Sequence, residues 1–295
     1  MNASITSTAR TRPLVPCAAE AHSWNRQNYP ALLAGLGFAA FLLVSAPTFA
    51  QVAPPLGLVT QFGALGGSGV TGQAGAGSII TGDVGSSPTP AISNFPPSTV
   101  VPPFFLHLTN DGVVQQAQID ATTAYNALAA QGPGTVLPAQ LGGTTLTTGV
   151  YSFTGGAADI AAGTTLTLNG PGVFVFNVAS TVTGNVLSNV VGTANPCNVY
   201  WRVGSSATLN GNNFWGTVIA LASVTANGAV TGRAVARTAA VTMPGGGGTT
   251  IGGCSAFLAG PGAFTPLPTL SEWAMVMLAA LLALAGFVAM RRQAR

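Results

Sequence analysis

A short threonine phrase closed by Asn-Gly returns along this 295-residue chain at nearly fixed intervals, and nothing else in the sequence limits the fold as much. Ser206-Ala-Thr208-Leu-Asn-Gly211, Ser223-Val-Thr225-Ala-Asn-Gly228 and Ala240-Val-Thr242-Met-Pro-Gly245 follow one another in 17-residue steps. Upstream, Thr165-Leu-Thr167-Leu-Asn-Gly170 and Thr181-Val-Thr183-Gly184 stand 16 apart, and Thr147 precedes Thr167 by 20. The step from Thr183 to Thr208 is 25, which a loop around Asn195-Pro196-Cys197 absorbs. Thr, Val and Leu favour strands, and Asn-Gly marks turns. A period of 16–20 residues is too short for a propeller blade and suits one coil of a β-solenoid.

Each coil carries a second strand, as in Gly172-Val-Phe-Val-Phe-Asn-Val178, Val199-Tyr-Trp-Arg-Val203, Trp215-Gly-Thr-Val-Ile-Ala-Leu221 and Gly232-Arg-Ala-Val-Ala-Arg237. Trp201, Val218 and Val235 keep the 17-residue register with each other. The threonine phrases alternate, so Leu166, Leu168, Ala207, Leu209, Val224 and Ala226 point inward while Thr and Ser face solvent. The second strands are nearly all apolar at first, which calls for cover on both sides. One helix can supply that cover. Asn110 or Asp111 caps it, Gly132-Pro133-Gly134 ends it, and Val114, Ala117, Ala121, Ala124, Tyr125 and Leu128 form one apolar stripe. The fold expected is mainly β: a solenoid with one long α-helix packed along one face.

Composition narrows the function. Charged residues are 5% of the chain, against ~25% in ordinary soluble domains. The net charge of +3 comes mostly from Arg10, Arg12 and Arg26 at one end and Arg291, Arg292 and Arg295 at the other. Without a cluster of cations in the middle, a nucleic-acid partner is excluded. Residues 1–50 read as a secretory signal with an apolar run at 31–44 and small residues at Thr48 and Ala50, cut after Ala50. Residues 51–265 form the exported domain. Residues 266–295 combine Pro268-Thr269-Leu270-Ser-Glu-Trp273, an apolar run at 274–290 and a basic tail, which places that end in the inner membrane with the tail in the cytoplasm. Cys197 and Cys254 are the only cysteines after residue 50, so an oxidising compartment favours a disulfide between them. A closed loop of that length is worth about 4 kcal/mol in the chain-entropy model.

Two resemblances follow from these residues. The Pro-Thr-Leu-x-x-Trp motif with its apolar run and basic tail resembles the PEP-CTERM-like sorting signals of Gram-negative bacteria. That implies removal by an exosortase-type membrane protease, transient anchoring through residues 274–290, and a mature protein at the cell surface or released. Residues 61–243 resemble the ice-binding proteins of bacteria and fungi, the DUF3494 type. The resemblance rests on Ile80-Thr-Gly-Asp-Val-Gly-Ser-Ser87, Asn94-Phe-Pro-Pro97, Ala117-Gln-x-Asp120-x-x-x-Ala124-Tyr-Asn126 and Gly149-Val-Tyr-Ser-Phe153. It continues through Val173-Phe-Val-Phe176, the run from Cys197 to Thr208, and Gly232-Arg-Ala-Val-Ala-Arg237. It implies a discontinuous right-handed β-helix that adsorbs to ice crystals through one flat β-face.

On that reading Thr147, Thr165, Thr167, Thr181, Thr183, Ser206, Thr208, Ser223, Thr225 and Thr242 form a single outward ladder, centred on Thr167, Thr183, Thr208 and Thr225. A structural or adhesive surface module without ice activity is the alternative. An enzyme is not expected. Asp83, Asp111, Asp120 and Asp159 are dispersed, with Asp83 read as a turn residue and Asp120 as helix surface, and His107 reads as structural. No cofactor or metal is expected, because two cysteines without a nearby histidine fall short of a zinc site. Trp201 and Trp215 read as core, and Gly245–Gly248 lacks the Lys-Ser/Thr of a phosphate loop.

Overall fold

The computed structural model describes residues 51–245 and 248–256. The signal segment, the sorting motif and the apolar run expected at the two ends lie outside the described residues. Among the described residues no helix is long and apolar enough to cross a membrane.

Among the described residues the chain winds into coils whose strands pair in parallel. A coil starts with a three-residue strand such as Ala158–Ile160. It turns into a second face at 165–169, turns again at Asn169-Gly-Pro-Gly into a third at 174–178, and arrives at Val182–Gly184 stacked on its own start. Successive returns at Ala158, Val182, Ala207, Val224 and Val241 give coils of 24, 25, 17 and 17 residues. The cross-section is therefore three-sided. A seven-stranded sheet forms one side, here the threonine face, and a larger sheet bends round a corner to form the other two. Corners this tight need glycine. Gly216 and Gly232 pair with φ of +118° and +157°, and a Cβ on Gly232 would lie 1.9 Å from the carbonyl oxygen of Gly216.

The order of coils is not the order of sequence. Ala64 pairs with Ala234, Val70 with Val241 and Ile80 with Ile251, so residues 62–80 add a coil beyond the C-terminal one. A further coil stacks on these through Val84, Ile92 and Val100. From there the helix α1, Gly112–Ala130, carries the chain back to the opposite end, where Thr135–Leu137 pairs with 151–153. Its 19 residues span about 28 Å, close to the ~34 Å of seven strand-to-strand steps it has to cross.

Two apolar clusters result. Inside the prism, Phe176 stacks on Trp201 at 3.9 Å, Trp201 meets Phe214 at 5.1 Å, and Leu166, Leu168, Ala207, Leu209, Val224 and Ala226 are buried as expected. Outside it, Val114, Ala117, Ala121, Ala124, Tyr125 and Leu128 of α1 close over Val150, Val175, Tyr200, Ile219, Val235 and Leu65. Each Val or Leu so buried contributes about 1.5–3 kcal/mol. One register differs from expectation. Trp201 pairs with Val218, but Val218 pairs with Ala234, and Val235 pairs with Ile219. The turn from Ala226 to Ala229 is one residue shorter than that from Leu209 to Asn213, and a one-residue slip exchanges faces. Val235 therefore points at the helix. Trp215 differs too: it is half-buried, alternating with the inward Phe214.

Three fastenings hold the ends. Cys197 and Cys254 are disulfide-bonded with Cα atoms 5.3 Å apart. Arg233, buried beside them, donates to the carbonyls of Thr60 and Cys254 and to the Thr217 hydroxyl, and burial lowers its pKa to about 10. At the helix start Asp111 Oδ1 accepts the amides of Val113 and Val114 at 2.9 and 3.0 Å. Asp111 Oδ2 lies 2.7 Å from His107 Nδ1, and His107 Nε2 lies 3.3 Å from Asp83. Asp83 is thus a buried strand residue and not a turn residue, because its other oxygen accepts the Phe105 amide. Asp120 does sit on the helix surface, where it accepts the Leu58 amide at 2.7 Å. His107 is structural, both ring nitrogens being occupied by carboxylates.

Two outcomes test this packing. Ala121 is fully buried under the covered face. Ala121→Asp should cost about 3 kcal/mol by burying an unpaired charge, a drop of roughly 6–12 °C in melting temperature, while Asn126→Asp on the exposed side leaves it nearly unchanged. The hydrogen bond to Asp83 raises the His107 pKa, against burial and with the help of Asp111. A raised pKa in the folded state stabilises below the ordinary value and loses that stabilisation as pH rises through the raised one. The melting temperature of wild type over His107→Gln should therefore be largest near pH ~5.5 and shrink by pH ~8.5, as scanning calorimetry would record.

Candidate functional site

The seven-stranded sheet is the most regular surface of the molecule. Pairing aligns Ser93, Thr71, Thr242, Thr225, Thr208, Thr183 and Asp159 in one column across seven strands. Val70, Val241, Val224, Ala207 and Val182 alternate with them and are fully buried, which fixes the direction of the threonines. Two residues earlier along the chain, at the edge of the sheet, a second column holds Ala91, Gly69, Ala240, Ser223, Ser206, Thr181 and Ala157. Apart from Asp159, no side chain in either column is larger than threonine.

Strand spacing sets the grid. Neighbouring rungs lie ~4.7–4.9 Å apart, and positions i and i+2 along a strand ~6.5–7 Å apart. Within the columns Ser93 Oγ donates to Thr71 Oγ1 at 3.1 Å and Ser223 Oγ to Ser206 Oγ at 2.9 Å. Among the described residues, no protein hydrogen bond uses the hydroxyls of Thr183, Thr208, Thr225 or Thr242, so these four remain for water. Charge enters only at the last rung. There Asp159 is held by Gln140 Nε2 and Asn185 Nδ2, each at 2.7 Å.

The ten residues expected in one ladder divide between two faces. Thr183, Thr208, Thr225 and Thr242 form the first column, and Thr181, Ser206 and Ser223 fall in the second. Thr147, Thr165 and Thr167 do not belong to this sheet: Thr167 pairs with Thr145 and Val191, Thr165 with Asn189, and Asn169 with Thr147. The 16-residue step from Thr167 to Thr183 imitates the repeat but crosses two corners of one coil, because Thr165–Val178 is a single bent strand. The rung below Thr183 is Asp159, 24 residues back. On that other face Val191, Trp215 and Ile79 interrupt any hydroxyl array. Thr71 and Ser93 were not anticipated. Val70-Thr71-Gly72 repeats the Val182-Thr183-Gly184 phrase, a signal that could have placed Thr71.

Among the described residues, no group of three or more His, Cys, Asp or Glu is placed to hold a metal ion. The site is a hydroxyl-studded sheet face whose one charge, Asp159, lies at its last rung.

The described residues thus form a parallel β-solenoid with a helix sealing one side and a hydroxyl-bearing sheet on another. Comparison with known proteins makes this specific. The Ice-binding-like family model matches residues 64–247, and an IPTL-CTERM motif matches residues 265–292. An ice-binding protein of Nostoc sp. (strain HG1) is 40% identical over 224 residues, covering 74% of this chain and 80% of that protein. The crystal structure of an ice binding protein from an Antarctic biological consortium superposes with TM-score 0.62 at 37% identity, covering 68% of this chain and 91% of the other. That of the ice-binding protein from the Antarctic ascomycete Antarctomyces psychrotrophicus gives 0.61 at 34% identity, covering 70% and 100%. The chain belongs to the ice-binding-like family.

Proposed function

We propose that this chain is an exported ice-binding protein that adsorbs to ice through the threonine face and so slows ice growth and recrystallisation. The observation that carries the reading is the seven-rung register running from Ser93 to Asp159. Ice has no charge to grip, so a binder has to match a lattice of water positions with fixed small groups. Threonine does this with a methyl and a hydroxyl on a rotamer-restricted side chain. Parallel backbone pairing holds those groups at one repeat, and the scarcity of charge keeps strongly hydrated groups out of the plane. Thr71, Thr183, Thr208, Thr225 and Thr242 form the centre, flanked by Thr181, Ser206 and Ser223. Thr147, Thr165 and Thr167 are not part of it.

Export fits the same reading. The family matches and the Cys197–Cys254 disulfide support a domain over residues 51–265 that works outside the cytoplasm. An N-terminal signal cut after Ala50 would send it there. An exosortase-type protease acting at Pro268-Thr269-Leu270 and Trp273 would then release it from transient anchoring through residues 274–290. Ice is the partner; the reading needs no cofactor and no catalytic step.

The test is steric. Thr208→Tyr and Thr225→Tyr place a ring on the plane at solvated positions, with Thr167→Tyr on the other face as control. The first two should raise the concentration needed for recrystallisation inhibition about tenfold, equivalent to about 1.4 kcal/mol of adsorption, with unchanged melting temperatures. The control should match wild type. Equal activity in all three variants removes this face from the account, and a folded but inactive wild type favours the adhesive module instead.

A further inference from the structure

The described residues contain three arginines, and two of them share one aromatic ring. Arg233 is buried and engaged by carbonyls. Arg202 and Arg237 instead place their Cζ atoms 4.4 and 4.5 Å from the centroid of Tyr125. Among the described residues the only ion pairs are those of His107, so no carboxylate answers either guanidinium. Two like charges gathered on one ring repel each other. The ring orients them without neutralising them. Arg202 Nε is buried without a hydrogen-bond partner, so only the outer end of that guanidinium faces outward, and Arg237 directs Nε and Nη2 to the same Thr122 hydroxyl, at 3.3 and 3.2 Å. In a chain so poor in charge, such a pairing points to an external anion.

The surroundings narrow its chemistry. Arg237 lies at a groove of about 550 Å³ along the outer flank of α1, lined also by Ser87, Asn110, Gln115, Ile119 and Thr123. Ile119 is 58% exposed and offers an apolar floor, while hydroxyls and amides surround it. A phosphate alone would leave that floor and those amides unused. A sugar ring with a carboxylate uses all of them: the ring over Ile119, its hydroxyls among the amides, and the carboxylate on a planar guanidinium fork. We propose that this groove binds an acidic polysaccharide, with a uronate carboxylate held by Arg237, while Arg202, on the same Tyr125 ring but outside the groove's lining, adds positive potential. None of its residues belongs to the threonine columns, so an exported protein could sit in an acidic cell-surface matrix with that face free. The inference goes beyond ice adsorption and does not depend on it.

Binding of the exported protein to polygalacturonate, with neutral dextran and inorganic polyphosphate as comparison probes, tests this. Wild type should bind polygalacturonate in a salt-sensitive manner and ignore dextran. The Arg202→Gln/Arg237→Gln double variant should lose affinity at least about tenfold. Thr123→Tyr, which fills the groove at an exposed position and leaves both arginines in place, should lose it as well. Both variants should keep the wild-type recrystallisation inhibition. If removing the arginines unfolds the protein, Thr123→Tyr alone still decides. Absence of polygalacturonate binding in wild type overturns the proposal, as does binding unchanged by Thr123→Tyr. Equal affinity for polyphosphate, insensitive to Thr123→Tyr, overturns it too, since charge alone would then suffice. Glycan binding that follows the variants in a protein without ice activity would sustain this groove and sink the function proposed above.

Discussion

Parallel backbone pairing between coils is the constraint on which every surface of this protein depends. Side chains alternate with a period of two, so a slip of one residue between coils would send Thr225 into the core and Val224 to solvent. The pairing holds through coils of unequal length because extra residues are confined to corners. The 24-residue coil spends its surplus at Asn169-Gly-Pro-Gly and the 25-residue coil at the turn around Pro196–Asn198, while the strands of the threonine face in these coils stay three residues long. The register of that face is unbroken because the irregularity is placed elsewhere.

A stack of coils must also end. At one end the strands Ile92–Ser93 and Thr99–Val100 are only two residues long, and Pro88, Pro90, Pro96, Pro97, Pro102 and Pro103 crowd the connecting segments. Short edges and missing amide donors discourage a second chain from adding a strand. Along the stack, α1 joins the N-terminal coils at one end to Thr135–Leu137 at the other, and its alanines bring it close to the sheet. Two charged groups sit at junctions. His107 joins a buried strand aspartate to the helix cap, and Arg233 joins the carbonyls of Thr60 and Cys254.

Much of this was legible before any coordinates. The helix stripe from Val114 to Leu128, the inward set from Leu166 to Ala226, and the disulfide follow from periodicity, alternation and cysteine count. Legibility failed where the chain turned corners or broke sequence order. Thr165 and Thr167 have the local pattern of the threonine face, but a 16-residue spacing cannot reveal that Thr165–Val178 bends between the other two faces. Thr71 and Ser93 lie far upstream and reach the face only because the N-terminal coils stack beyond the C-terminal one. Asp83 gave no sign of burial, since its partner His107 is 24 residues away. The convergence of Arg202 and Arg237 on Tyr125 joins three distant segments, which no local pattern encodes.

The central claim is that a backbone-fixed threonine grid organises water. A high-resolution crystal structure of the exported protein, in a lattice that leaves the seven-stranded sheet free of contacts, would test it most directly. The account predicts ordered waters between the column running from Thr71 through Thr242, Thr225 and Thr208 to Thr183 and its serine-bearing neighbour, repeating at the ~4.7–4.9 Å strand spacing. It predicts no such array on the face that carries Thr165, Thr167, Val191 and Trp215. Waters equally irregular on both faces would contradict it.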